Sequence, residues 1–159
     1  MQIRDCTKRE VFSVATATTL DEAAQVLVEK HVGLLPVTDE AQRLVGIFGH
    51  SEILALFLPA CVNLIDDLDF VHDFGALEEV SMSPEMRTRQ VSDFMREPIS
   101  VEETTGLLRA YTMMLQHRLH DLPVVRPNGT LVGIVSRVDI GTAFLTERET
   151  DPLSRSEIA

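Results

Sequence analysis

The clearest chemical signal in this sequence is a serine and an aspartate three positions apart, directly before an apolar segment. Ser136 and Asp139 stand in Ser-Arg-Val-Asp, and Arg137 lies between them. A serine hydroxyl and the free N–H groups at the start of a helix can hold a phosphate, a neighbouring arginine adds positive charge, and an ionised carboxylate offers two acceptor oxygens. The same Ser-x-x-Asp spacing is also a helix-capping pattern. Spacing alone favours capping, with ligand binding as the alternative.

These residues belong to the second copy of an internal repeat. Residues 33–58 align with residues 120–145 at a constant offset and without a gap, so that Leu35-Pro36-Val37 falls on Leu122-Pro123-Val124. Leu-Val-Gly-Ile follows in both copies, ending at Ile47 and at Ile134. Such a register through successive elements indicates a duplicated supersecondary unit.

Each copy has the pattern strand, helix, strand, strand, helix. The helix of the second copy carries apolar residues on one face of a 3.6-residue period: Leu107, Ala110, Tyr111, Met114 and Leu115. The sequence therefore predicts an α/β (α+β) fold of two β-α-β-β-α repeats, packed as a pseudo-two-fold pair with a shared core, because neither half buries enough surface alone. We predict a first repeat over residues 1–58, an acidic helical insertion over 59–90, a second repeat over 91–147 and a C-terminal tail over 148–159.

Composition argues against several classes of function. The 14 basic and 25 acidic residues give a formal net charge of −11, which repels phosphate backbones and anionic lipid, so we expect neither nucleic-acid nor membrane binding. No apolar run reaches the length that a membrane span needs, and no apolar leader opens the chain. Cys6 and Cys61 show no paired spacing, which favours free thiols and a cytoplasmic protein.

The tandem unit resembles the cystathionine-β-synthase (CBS) domain pair. The residues that carry the resemblance are Leu-Pro-Val, a turn, Leu-Val-Gly-Ile-Val-Ser-Arg-Val-Asp-Ile and the lead-in Val-Ser-Asp-Phe-Met that begins at Val91. The resemblance implies a non-catalytic regulatory or sensor module with two clefts, which commonly binds adenosine compounds (AMP, ADP, ATP or S-adenosylmethionine) and often forms a homodimer. It requires no cofactor, and the regulated protein would be an unidentified partner.

The resemblance also implies roles for particular residues. Residues 133–139 look like the family's nucleotide motif, in which Asp139 holds the ribose diol, Ser136 the phosphate, and Arg137 adds charge. The family's adenine contacts, made mostly by backbone, fall here on Ile99, Leu119, His120 and Asp121, and we predict Ser100 as a further ligand-binding residue. A single working cleft in the second repeat is expected, because the first copy has Gly49 and Glu52 in place of serine and aspartate.

Asp121 adds a condition to the choice of ligand. If its side chain points into the cleft, it disfavours a polyphosphate. It could instead accept a hydrogen bond from an adenine amino group or pair with a positively charged ligand, which leaves S-adenosylmethionine more open.

Two other functions compete with ligand binding. An enzyme is disfavoured because the sequence has no GxSxG, HExxH, P-loop or clustered Cys/His pair. The five histidines lack metal-ligand spacing, so no metal site is expected. The stronger alternative is a ligand-free oligomerisation or protein-interaction module.

Overall fold

The computed structural model describes residues 1–56 and 82–150, with side chains up to residue 146. A three-stranded sheet forms the centre of the first repeat. Its strand β1 (Val14–Ala15) runs parallel to β2 (Leu34–Thr38), and β2 pairs antiparallel with β3 (Leu44–Gly49). Val14 is the partner of Val37 in the parallel pair. All five residues of β2 are buried, as expected for the middle strand of a small sheet covered on both faces.

The second repeat contains the same sheet. Its strand β4 (Val101–Glu102) is parallel to β5 (Asp121–Val125), which is antiparallel to β6 (Leu131–Ser136). The partner of Val101 is Val124, so the pairing register is the one found in the first sheet. Both sheets also have a register shift at the end of the middle strand. The fold class predicted from the duplication is confirmed.

Five helices are described. They are α1 (Leu20–Lys30), α2 (His50–Ala55), α3 (Pro84–Arg87), α4 (Leu107–Gln116) and α5 (Arg137–Thr150). The crossover helices α1 and α4 each join a parallel strand pair, as such connections usually do. Because α5 continues to residue 150, the boundary predicted after residue 147 falls inside a helix.

Each crossover helix buries a narrower stripe than the periodicity predicted. The residues that α4 buries are Leu107, Ala110 and Met114, whereas Tyr111 and Leu115 are 39% and 50% exposed. The outer members of the apolar stripe therefore lie at the surface.

The segment that leads into the first repeat packs on the second repeat. Residues 2–8, the first lead-in, contain a short 3₁₀ turn (Ile3–Asp5). The N–H of Ile3 donates to the carbonyl of Thr105 at 2.8 Å, and Lys8 exchanges two backbone hydrogen bonds with Ile134. The buried side chain of Ile3 belongs to the core cluster of the second repeat.

The second lead-in, residues 90–96, makes the reciprocal contacts with the first repeat. The N–H of Val91 donates to the carbonyl of Thr18 at 2.8 Å, and Arg96 exchanges two backbone hydrogen bonds with Ile47. Val91 is fully buried in the core cluster of the first repeat. The two repeats therefore exchange their lead-ins, and the shared core that we predicted consists of two clusters, each built from both halves of the chain.

A glycine in each outer strand makes this exchange possible. A Cβ on Gly133 in β6 would meet the carbonyl oxygen of Lys8 at 2.5 Å, and a Cβ on Gly46 in β3 would meet that of Arg96 at 3.0 Å. Both lead-ins therefore lie directly on a strand backbone that has no side chain at the crossing point. The acidic run of the predicted insertion and Cys61 lie outside the described residues.

Candidate functional site

Ser136 and Asp139 form a complete capping box at the start of α5. The Ser136 N–H and hydroxyl donate to Asp139 Oδ2 at 2.8 and 2.6 Å, and the Asp139 N–H donates to Ser136 Oγ at 3.1 Å. This reciprocal arrangement satisfies N–H groups that a helix start leaves without backbone partners. The capping interpretation of the motif is confirmed, and any ligand role must act through side chains that already contact each other.

The other carboxylate oxygen of Asp139 pairs with a lysine of the first lead-in. Lys8 Nζ lies 3.0 Å from Asp139 Oδ1, and the two side chains are 60% and 16% exposed. Partial burial opposes ionisation of Asp139, but the hydrogen bonds from Ser136 and Lys8 outweigh it and lower the pKa of the carboxyl. Of the roughly four lone-pair positions of an ionised carboxylate, three are occupied, so one remains for a ligand.

Arg137 turns away from Asp139 and caps the end of the neighbouring helix. Its Nε donates to the carbonyl of Leu119 at 2.9 Å, and its Nη2 donates to the carbonyl of Met114 at 3.3 Å. Arginine commonly satisfies the last carbonyls of a helix in this way. The structure therefore brings Arg137 next to Ser136 in the chain but directs its guanidinium group to the C-terminal end of α4.

Asp121 lies beside the motif and faces a cavity. It is the ladder partner of Ser136 across β5 and β6, and it is half-buried. Burial raises the pKa of its carboxyl, and the negative Asp139 adds to that rise, while His120 and Lys8 oppose it. The sequence predicts that Asp121 disfavours a polyphosphate if its side chain points into the cleft. Asp121 does line the cavity between the two repeats.

This cavity, the central cleft, has a volume of about 300 Å³. Five apolar residues line it: Val11, Phe12, Val32, Leu34 and Ile134. Its ionisable lining residues are Lys8, Glu10, His31 and Asp121, and Gly33 completes the wall. A small cavity that combines apolar walls with convergent polar groups is typical of a ligand site.

Most of the apolar wall comes from the first repeat, whereas the adenine contacts that we predicted, made mostly by backbone, lie in the second. At the offset that places Leu35 on Leu122, Phe12, Val32 and Gly33 correspond to Ile99, Leu119 and His120. The lead-in exchange explains the change of repeat, because the first lead-in carries residues 8–12 across to β6. Among the lining residues, Lys8, Glu10, Phe12 and Gly33 were missed, although the offset relates the last two to predicted positions.

The remaining predicted contacts are divided between several places. Ile99 packs against the second core cluster, and Ser100 lines a separate cavity with Thr104 and Thr105. Leu119 is buried and His120 is exposed, and both contribute their carbonyls to Arg137. Of the predicted residues, Asp121 alone lines the central cleft. Ser136 is its ladder partner, and Asp139 reaches the cleft through its ion pair with Lys8 while lining a separate cavity of about 540 Å³ beside the first lead-in.

The equivalent corner of the first repeat is built differently. Gly49 gives α2 no side-chain cap, and a Cβ there would collide with the carbonyl oxygen of Gly33. Glu52 faces Arg96 of the second lead-in, with 3.9 Å between Arg96 Nε and Glu52 Oε1. Glu52 and Arg96 therefore repeat the pairing of Asp139 with Lys8, but Gly49 has no hydroxyl to correspond to that of Ser136.

Among the side chains of residues 1–56 and 82–146, no group of three His, Cys, Asp or Glu is placed to hold a metal ion. None of the helices described above is long and apolar enough to cross a membrane.

Relatives of known name share this architecture. CBSX1, a chloroplastic CBS domain-containing protein of Arabidopsis thaliana, is 32% identical over 156 residues, which cover 87% of this chain and 61% of that protein. CBSX2 of the same plant is 32% identical and is covered to 63%. The chain thus spans about three fifths of the length of these two relatives.

Solved structures agree with the fold. A crystal structure of CBSX2 from Arabidopsis thaliana has 27% sequence identity and a TM-score of 0.73, and the match covers 94% of this chain and 98% of that one. A structure of CBSX2 in complex with AMP has 28% identity and a TM-score of 0.69, with 92% and 98% covered. The model of the CBS domain matches residues 3–59 and again residues 91–145. The chain therefore belongs to the CBS domain family, as a tandem pair.

Proposed function

We propose that this chain is a non-catalytic regulatory module that binds one adenosine-type ligand in the central cleft. The candidates are AMP, ADP, ATP and S-adenosylmethionine. The observation that carries the proposal is the position of an ionised carboxylate, Asp139, which pairs with Lys8 at the edge of a cavity of about 300 Å³ with apolar walls. A planar base needs apolar walls, and a sugar diol needs a charged acceptor nearby.

The residues that line the cleft can be assigned to different parts of the ligand. Phe12, Val32 and Leu34 offer an apolar surface to the base, and the open backbone at Gly33 offers polar groups to its edge. Asp139 contributes its free acceptor position to a ribose hydroxyl. CBSX2, which was solved with AMP, shares 28% sequence identity with this chain and supports an adenosine compound as the ligand class.

A regulatory role fits how the cleft is built. The lining combines the first lead-in with β5 and β6 of the second repeat, so a bound ligand would contact both halves of the chain. A ligand with different affinities for two arrangements of the halves shifts the balance between them. The regulated protein remains unidentified, and the cytoplasmic location expected from the sequence remains a prediction.

Calorimetric titration with AMP, ATP, S-adenosylmethionine and 5′-methylthioadenosine tests the proposal. Asp139→Asn removes the charge that holds the ribose, and we expect affinity to fall by about 10- to 100-fold, the worth of a charge-assisted hydrogen bond. Glu52→Gln is the matched control, because Glu52 occupies the same position in the first repeat. We expect it to leave affinity unchanged.

Two results would contradict the proposal. If none of the four compounds produces heat or a thermal shift at millimolar concentration, the chain is not an adenosine-binding module, because a ligand at 100 times its Kd adds about 2.7 kcal/mol of stability. If Glu52→Gln weakens binding as much as Asp139→Asn, the ligand does not bind at the second motif.

An exposed apolar surface favours assembly as a second candidate function. Leu108, Tyr111, Val138 and Phe144 surround a shallow cavity of about 430 Å³ between α4 and α5. Leu108 and Val138 are 67% and 74% exposed. We propose a second copy of this chain as the occupant. Two chains of net charge −11 repel each other, and this surface, which is largely apolar and carries no acidic residue, is where two copies can meet.

Sedimentation velocity tests the homodimer. We expect the wild-type chain to sediment as a dimer and Val138→Glu to sediment as a monomer, because the substitution places a charge in the apolar surface. Ala41→Glu adds the same charge at an exposed turn outside that surface and should leave the dimer intact. A wild-type chain that remains monomeric at micromolar concentration would rule the dimer out.

A further inference from the structure

We propose that the central cleft selects adenosine compounds whose 5′ group is uncharged or positively charged, and that Asp121 and Glu10 exclude the 5′-phosphates. The inference rests on the proposed function and narrows its ligand class. AMP, ADP and ATP would then be the weaker ligands, and 5′-methylthioadenosine and S-adenosylmethionine the stronger ones.

The first argument is the charge on the cleft wall. Of the residues that line the cavity, Glu10 and Asp121 are acids and Lys8 is the one lysine or arginine. Lys8 is already engaged with Asp139, whose own charge lies just outside the lining. His31 also lines the cavity and the exposed His120 lies beside Asp121, while the ammonium group of Lys30 sits over the ring of Phe12. An entering phosphate therefore faces more negative than positive charge.

The second argument is that most of the groups able to hold a phosphate already have partners. The N–H groups of Ser136 and Asp139 are bonded within the capping box, and that of Arg137 donates to the carbonyl of His120. The Ser136 hydroxyl donates to Asp139. The guanidinium group of Arg137 is occupied at the end of α4. A phosphate would have to break several of these bonds, whereas an uncharged 5′ group needs none of them.

The third argument is the position of Asp121 relative to the ribose acceptor. Asp121 is the ladder partner of Ser136, the residue next to which the family motif places the 5′ end. Its Oδ2 lies 4.0 Å from the point where a Cβ on Gly33 would be, on the opposite wall of the cleft. The carboxylate thus reaches across the space through which the 5′ substituent must pass. A phosphate placed beside this carboxylate would be repelled, because like charges repel more strongly in a partly buried site than in water.

The test compares ligands that differ only at the 5′ position. In calorimetric titrations at 0.15 M salt, we expect 5′-methylthioadenosine and S-adenosylmethionine to bind at least about tenfold more tightly than AMP and ATP. Asp121→Asn and Glu10→Gln should each narrow this ratio by strengthening AMP. Glu97→Gln is the matched control, because Glu97 is the counterpart of Glu10 in the second repeat and is exposed outside the cleft.

The outcomes separate this inference from the proposed function. If AMP or ATP binds as tightly as 5′-methylthioadenosine, charge selection is wrong and the adenosine site stands. If the ratio is as expected but neither variant changes it, Asp121 and Glu10 are not its cause. If no adenosine compound binds, both proposals fall. Because Glu10 is exposed, Glu10→Gln provides a folded variant even if Asp121→Asn proves unstable.

Discussion

Lys8 and Asp139 form an ion pair between the first lead-in and the last helix, with 3.0 Å between Lys8 Nζ and Asp139 Oδ1. Arg96 and Glu52 repeat the relationship in the other half, at a longer 3.9 Å. In both halves the cation comes from one repeat and the acid from the other. Each pair therefore marks a point where the exchanged lead-in meets the start of a helix.

The Lys8–Asp139 pair should contribute little to stability, because Lys8 is 60% exposed. In a double-mutant cycle of Lys8→Met and Asp139→Asn, we expect a coupling energy of about 0.2–1 kcal/mol, measured by urea unfolding. Arg9→Met is the control for replacing a basic residue by methionine. Arg9 is the neighbour of Lys8 in the chain, is similarly exposed, and pairs with a different acid, Glu103. A coupling energy above about 2 kcal/mol would show that the pair behaves as a buried one.

Gly133, where the first lead-in crosses β6, should be the glycine of the second repeat at which a substitution by alanine lowers stability most. Gly133→Ala places a methyl group against the Lys8 carbonyl, and we expect it to lower the free energy of unfolding by about 1–3 kcal/mol. Gly141→Ala is the matched control, because nothing lies within 4 Å of its Cβ position in α5. It should stabilise the chain by about 0.5–1 kcal/mol. Equal effects of the two substitutions would mean that the lead-in does not pack on β6.

The sequence contained most of what determines the fold. The constant offset predicts two equal sheets, and the two sheets have the same pairing register. The glycine shared by both Leu-Val-Gly-Ile blocks was also visible, and a glycine inside a strand often marks a close backbone approach. What approaches it could not be predicted, because periodicity describes each segment alone and carries no information about which distant segment covers it.

The same limitation explains why the structure places the predicted site residues differently from what their positions in the sequence suggested. Ser136 and Asp139 were found because capping and ligand binding share one local pattern, which is read within four residues. Phe12 and Lys8 were missed because they reach the cleft only through the exchange of lead-ins. Arg137 was expected near a phosphate, but its long side chain reaches the unsatisfied carbonyls of α4, which are distant in sequence.

The first repeat should not acquire a site when its motif is restored. In Gly49→Ser/Glu52→Asp the new Cβ would collide with the Gly33 carbonyl, so we expect a loss of about 1–3 kcal/mol in stability. We also expect one ligand per chain by calorimetry, before and after the change. Two ligands per chain in the double variant would show that Gly33 can move aside and that the difference between the motifs alone determines occupancy.

The half-buried Asp121 should make the chain less stable as the pH rises. Its pKa is raised above the ordinary 3.8, so the folded state binds its proton more tightly than the unfolded state does. Stability therefore falls as the pH rises from about 3.8 through the raised pKa, and the deficit is constant above it. We expect Asp121→Asn to be more stable than wild type at pH 7, with a difference that shrinks as the pH approaches 4, measured by urea unfolding across this range.

Asp139 should change the stability with pH in the opposite direction to Asp121. Its pKa is lowered from 3.8, so the stability it contributes is present above that value and is lost as the pH falls through the lowered pKa. Asp139→Asn should therefore be less stable than wild type at pH 7. The neighbouring carboxylates Asp121 and Asp139 would then shift stability at neutral pH in opposite directions. If Asp121→Asn were also destabilising at pH 7, the Asp121 carboxylate would have to be stabilised in the folded chain, and the argument from its burial would fail.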